Sequence, residues 1–93
     1  MEHNIIKYKA FVTAVELGSL SKTAKILEYS QPGVSRMIAD LENECHASLL
    51  ERGKNGVSPT MYGSVILPYA RKLCSDYDEL ESVIDVINVT NNN

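Results

Sequence analysis

Ile66, Leu73, Leu80 and Ile87 recur every seven residues, and Ala70, Tyr77 and Ile84 fill the four-three steps between them. A seam sustained over roughly three heptads is a coiled-coil signature. Thr60 is suited to cap this helix, which then runs to about Asn88. Such a helix has about 28 residues and a length of about 42 Å. The rest of a 93-residue chain cannot bury all of it. Its first turns pack on the body, and the remainder needs a partner. The simplest partner is the same helix from a second copy, related by a two-fold axis. Ile66, Ala70, Leu73, Tyr77, Leu80 and Ile84 are therefore expected to form a homodimer seam; the competing reading is an intramolecular core helix. Pro68 removes one i→i−4 bond and is expected to bend the helix near its start. Residues 89–93 have no period and read as a linker or frayed end.

Residues 1–59 must supply the body. Between residues 4 and 17, Ile5, Tyr8, Phe11, Val12 and Val15 share a helical face, with Asn4 placed to cap the helix and Gly18 to end it. A short second helix follows, with Ser21 as expected N-cap and Ala24 and Leu27 facing inward. The third begins after Ser30, another capping residue, with Pro32 in the first turn, where a missing N–H costs nothing. Val34, Ile38 and Leu41 make its apolar stripe, and Gln31, Ser35 and Arg36 lie off it. Those three place an amide, a hydroxyl and a guanidinium near the N-terminal end of one exposed face. Amide and guanidinium pair bidentately with adenine and guanine edges in the major groove, and a helix N-terminus favours phosphate. Two short helices joined by a tight turn, the second carrying such groups at its start, read as a helix-turn-helix. Ala24 and Val34 stand at the ten-residue separation that lets two such helices cross closely, although Glu28 occupies the turn position where glycine is frequent.

Leu49-Leu50-Glu51-Arg52 and Val57-Ser58 flank Gly53-Lys54-Asn55-Gly56, which reads as a β-hairpin. A hairpin after a helix-turn-helix is a wing. Arg52 and Lys54 sit at its tip, where a cation reaches backbone phosphate or the adjacent minor groove; the plain alternative for Lys54 is a solvated surface lysine.

The net charge of −3 argues at first against a nucleic-acid partner, but its distribution reverses that. Residues 1–73 hold all nine Lys and Arg against seven Asp and Glu, whereas residues 74–93 hold five acidic residues and no basic one. A mildly basic body carries an acidic tail. Cys45 and Cys74 lie far apart without a CxxC or a histidine cluster, so neither a disulfide framework nor a metal site is expected, and two thiols suit the cytoplasm. No apolar run approaches the roughly 20 residues of a membrane span. His3 and His46 have no partner at triad or ligand spacing, which argues against an enzyme. Cys45 falls at a helix C-terminus, where the dipole disfavours a thiolate.

Helix, helix-turn-helix, wing and long helix, in that order, resemble the DNA-binding region of LysR-type transcriptional regulators. The resemblance rests on Phe11-Val12, Gly18-Ser19-Leu20-Ser21, Ala24-Lys25-Ile26-Leu27, the run from Ser30 to Arg36, Leu41-Glu42, Leu49 with Arg52, Thr60 with Gly63, and Leu67-Pro68-Tyr69-Ala70. It implies that Ser21, Gln31, Pro32, Ser35, Arg36 and Arg52 contact DNA and that the long helix dimerises. Thr23 stands for the first of the family's paired alanines, Cys45-His46 for its Leu-Gly, and Leu50 for its usual Phe. Family members also carry a C-terminal effector-binding domain, so the chain is expected to be a fragment, and a small-molecule effector would act only through that absent domain.

The expected fold is thus mainly α: a winged helix-turn-helix over residues 1–59, a dimerising linker helix over 60–88 and a linker at 89–93. The expected function is sequence-specific binding of duplex DNA by a cytoplasmic dimer without cofactor. Arg36 would take a base edge or phosphate and Gln31 a base edge. Ser21, Ser30 and Ser35 would take phosphates, and Arg52 and Lys54 the backbone or minor groove. A molybdate-responsive regulator's N-terminal domain is similarly built. A winged-helix module that docks on protein and no longer binds DNA is the alternative from another class. A charge reversal at Arg36 separates it from the DNA-binding reading.

Overall fold

The computed structural model describes the backbone of residues 2–91 and the side chains of residues 5–91. The order of elements is α1 (Glu2–Leu17), α2 (Leu20–Leu27), α3 (Gln31–Cys45), β1 (Leu50–Gly53), β2 (Gly56–Pro59) and α4 (Met61–Asn91). The helix-turn-helix is α2–α3, and β1 and β2 pair antiparallel as the wing. α1 starts at Glu2, so Asn4 lies within its first turn and is not its cap.

α1 is the centre of the body and packs against α2, α3, α4 and β2. Its apolar face is correspondingly wider than the expected stripe. Ala10, Phe11 and Ala14 are fully buried, whereas Tyr8 and Val15 pack only partly against the core. Alanines at the centre let neighbouring helices approach closely. Val34, Ile38 and Leu41 of α3 are buried as their spacing predicted, together with Ala24, Leu49 and Leu50.

Local hydrogen bonds set the helix ends. Gly18, at φ 66, closes α1 through its N–H to Ala14 O at 2.8 Å. Ser19, not Ser21, then caps α2: its backbone is extended and its Oγ accepts from the Lys22 N–H at 3.1 Å. The helix starts as soon as Gly18 has reversed the chain, which leaves Ser21 inside the first turn. Thr23, the polar residue among the small ones of α2, is buried because its Oγ1 donates to Ser19 O at 2.7 Å. Glu28 and His46 end α2 and α3 in the left-handed conformation that glycine favours, at φ 63 and φ 54. Each carries a steric penalty of about 1 kcal/mol, offset by the backbone bonds it closes. Tyr29 N–H reaches Ala24 O at 2.9 Å, and Ala47 N–H reaches Glu42 O at 3.1 Å.

The wing is bound to the body at both ends. Glu42 Oε2 accepts from the Leu49 N–H at 2.7 Å and the Leu50 N–H at 3.2 Å, so α3 holds the start of β1. The Val57 N–H donates to Gly18 O at 3.1 Å, which ties β2 to the α1–α2 turn. Thr60 caps α4 as expected: its Oγ1 accepts from the Gly63 N–H at 3.0 Å and donates to Ser48 O at 2.6 Å.

α4 has 31 residues, about 46 Å of helix, in a molecule 53 Å in its longest dimension. It runs without interruption through Pro68 and on to Asn91. Val89, Thr90 and Asn91, expected to fray, are therefore helical, since a helix once nucleated gains a bond with each added residue; residues 92 and 93 lie outside the described residues. Its first half docks on α1. Arg71 meets Glu16 at 3.6 Å, Lys9 meets Asp78 at 3.1 Å, and the Lys9 ammonium lies 5.3 Å from the centre of the Tyr77 ring. Partial burial alone would lower the Lys9 pKa, but the hydrogen bond and charge of Asp78 outweigh it and leave the pKa raised. Burial pushes the Cys74 thiol up, away from reactivity.

This docking alters the expected dimer seam. Ala70 is 2% exposed and belongs to the monomer's core, against which Ile66 also packs. These two are not free to meet a second copy. Tyr77 is half-buried beside Lys9. Leu73, Leu80 and Ile84 remain exposed, joined by Ile87 and, nearer the body, by Tyr62, Val65 and Tyr69. The exposed stripe is therefore rotated toward the side of the docked face in the first turns and follows the heptads only beyond Leu73.

Candidate nucleic-acid interface

Ser30 is extended, with φ −74 and ψ 155, and its Oγ accepts from the Gly33 N–H at 3.1 Å. This cap fixes where α3 begins, and so where its first side chains project. Gln31 and Pro32, in the first turn, are exposed; Ser35 is half-buried; Arg36, one turn on, is exposed. The buried stripe of Val34, Ile38 and Leu41 holds down the side of the helix opposite Arg36, and Gln31 is exposed because it is the first residue of the helix. The N-terminal half of α3 thus exposes the Gln31 amide and the Arg36 guanidinium, with the Ser35 hydroxyl half-buried.

Ser21 reaches this group from α2. Its Oγ donates to Gln31 Oε1 at 3.0 Å. In the wing, Arg52 is exposed opposite Val57, and Lys54 lies in the two-residue turn Lys54-Asn55. Glu42 and the Gly18–Val57 bond make the wing one body with the helix-turn-helix, so Arg52 and Lys54 are carried in a set relation to α3.

The basic residues divide between two groups of elements. Among the described residues, Lys7 pairs with Glu44 at 2.7 Å, Lys72 with Asp76 at 3.1 Å, and Lys9 and Arg71 with the acids named above. All four belong to α1 and α4. Lys22, Lys25, Arg36, Arg52 and Lys54 have no ion-pair partner among the described residues, and all five belong to α2, α3 and the wing. The basic residues that stabilise the fold are thus distinct from those left available to a polyanion. Lys22 and Lys25 were not singled out from the sequence. Their signal was their place on the polar side of α2, opposite Ala24 and Leu27, but it became meaningful only once α2 was seen beside α3.

His46 is exposed as the left-handed residue ending α3, and the His3 side chain lies outside the described residues. No group of three or more His, Cys, Asp or Glu among the described residues is placed to hold a metal ion. No described helix is long and apolar enough to cross a membrane.

A family model described as "Bacterial regulatory helix-turn-helix protein, lysR family" matches residues 6–64. The chain is 33% identical over 87 residues to the nitrogen assimilation regulatory protein nac of Klebsiella aerogenes, covering 94% of this chain and 28% of that protein. It is 38% identical over 79 residues to the uncharacterized HTH-type transcriptional regulator YbhD of Escherichia coli K12, covering 85% and 25%. The chain spans about a quarter of the length of the curated relatives it matches. Among solved structures, the BenM DBD/catB site 1 DNA complex superposes with a TM-score of 0.80 at 38% identity, over 90% of this chain and 94% of that one. The CbnR DBD–DNA complex gives a TM-score of 0.77 at 27% identity, over 90% and 97%.

Proposed function

Because the chain belongs to the LysR family of bacterial helix-turn-helix regulators, we propose that it binds duplex DNA as a dimer, each copy setting α3 into a major groove and the wing against the flanking backbone. The observation that carries this reading is the segregation onto α2, α3 and the wing of the five cations that have no ion-pair partner among the described residues. Gln31 and Arg36 read base edges, with Arg36 also within the compass of a phosphate. Ser30 and Ser35 face phosphates, Ser21 stands at the same surface against Gln31, Pro32 packs against the backbone at the head of α3, and Arg52 and Lys54 hold the backbone or minor groove. As a regulator acting on the chromosome it works in the cytoplasm. Control by a small molecule would come through a C-terminal domain beyond these residues.

Anisotropy of a labelled duplex of about 30 bp, titrated across a salt series, tests the reading. Each phosphate neutralised contributes about −0.9 to the slope of log K against log salt, so full use of five cations in each of two copies sets a limit of about −9. A slope of several units supports DNA binding, and a flat response sinks it in favour of a protein-docking module.

The dimer is tested separately. The supporting feature is the exposed apolar stripe through Leu73, Leu80, Ile84 and Ile87, beyond the docked turns of α4. Ile84→Glu places a charge on that stripe in each copy, and sedimentation equilibrium should show a monomer with unchanged helicity. If Ile84→Glu sediments as wild type does, the stripe is not the interface.

A further inference from the structure

The Ser21–Gln31 hydrogen bond is a polar side-chain contact that joins the two helices of the helix-turn-helix. Both residues are exposed, and the bond buries nothing. Ser21 does not cap α2, because Ser19 does, so its hydroxyl is free to act on another element. Gln31 is the first residue of α3, where its side chain has no neighbour on a preceding turn to restrain it. Left alone, it would sample many rotamers and lose that freedom on meeting a base.

We propose that Ser21 is a positioning residue for base recognition: its hydroxyl holds the Gln31 amide in the orientation that meets a base edge. This inference rests on the DNA-binding reading above. The chemistry is consistent with both bonds forming at once. An amide oxygen has two lone pairs. The Ser21 hydroxyl occupies one and leaves the second, together with both N–H groups, available to the base. That remaining set, one acceptor beside donors, matches the adenine edge, where N6–H donates and N7 accepts. The anchor points are themselves firm, since Ser19 and Thr23 fix the start of α2 and Ser30 fixes the start of α3.

The test is selection from a randomised duplex pool with the 93-residue chain and its Gln31→Ala, Ser21→Ala and Ser21→Thr variants. Gln31→Ala should flatten base preference at one position of each half-site. Ser21→Ala should lower preference at that same position by roughly 5-fold or more, with the other positions unchanged. Ser21→Thr keeps a hydroxyl at the same place and should retain the wild-type profile. An even loss of affinity at all positions in Ser21→Ala would make Ser21 a phosphate contact and overturn the proposal. An unaltered profile in Ser21→Ala, or a Gln31→Ala profile with no position flattened, overturns it as well. If the wild-type chain enriches no sequence, the DNA-binding reading has failed and the proposal falls with it, an outcome recognisable from the wild-type profile alone.

Discussion

Replacing Arg36 by Glu should weaken duplex binding by about 100-fold or more while leaving helicity and dimerisation unchanged. The expected size follows from what is lost and what is added. A guanidinium on a base edge or phosphate contributes about 1–3 kcal/mol, and each copy of a dimer carries one. The substituted carboxylate then faces the phosphate backbone with like charge. Arg36 is exposed and has no ion pair among the described residues, so its loss removes nothing that holds the fold. The salt series also says which atom it touches. If Arg36 meets a phosphate, Arg36→Ala makes the slope shallower by about 1 per copy and weakens all sequences alike. If it meets a base, the slope stays near wild type and preference is lost at one position. A variant that binds as wild type does while remaining folded would exclude α3 as the reading helix.

The second large effect concerns the fold. Gly63→Ala should destabilise the chain by about 3 kcal/mol, the upper part of the range for overpacking a tight contact. A Cβ at Gly63 would lie 2.1 Å from the backbone oxygen of Leu49 and 3.3 Å from Cβ of Pro59. A backbone oxygen in this position cannot swing aside as a side chain does. Leu49 is fully buried and its N–H is bound by Glu42, while its carbonyl also accepts from the Thr60 N–H at 3.0 Å. To admit one methyl group, the start of α4 must part from the start of the wing. For a domain of this size, 3 kcal/mol corresponds to a fall in Tm of about 12–24 °C. Gly53→Ala is the control, because a Cβ there meets nothing within 4 Å, and its Tm should stay within a few degrees of wild type. Equal melting of the two variants would contradict the tight approach of α4 to Leu49.

The two predictions concern features that differ in how far they could be read in advance. Ser30, Pro32 and the Val34–Ile38–Leu41 stripe define α3 from local chemistry alone: a cap, a residue without an N–H in the first turn, and a helical period. The exposure of Arg36 follows, because it lies opposite the buried stripe; Gln31, three residues before Val34, is exposed because it is the first residue of the helix. The wing was legible for the same reason, since a Gly53-Lys54-Asn55-Gly56 turn specifies its own pairing. His46, standing where the resembled family has glycine, takes the left-handed conformation at φ 54 all the same.

Features that depend on two segments meeting were not legible. Ala10 and Ala14 are as fully buried as Phe11, yet an alanine carries no signal until the elements that pack on α1 are known. The heptad seam of α4 was real as a pattern, but Ile66 and Ala70 face the monomer's own core, and only the docking on α1 reveals where intramolecular packing ends. Which serine caps α2 depended on where Gly18 released the chain. The pairing of charges is of the same kind: composition counts nine basic residues without saying that four are paired by α1–α3, α1–α4 and α4 contacts while five have no ion-pair partner among the described residues. Caps, turns and periodicities act over a few residues, so the order of the elements and the apolar stripe of α3 could be read from the chain alone. The division of one apolar helix between core and partner, and of the cations between fold and ligand, was decided by tertiary structure, because it depends on contacts between residues far apart in the chain.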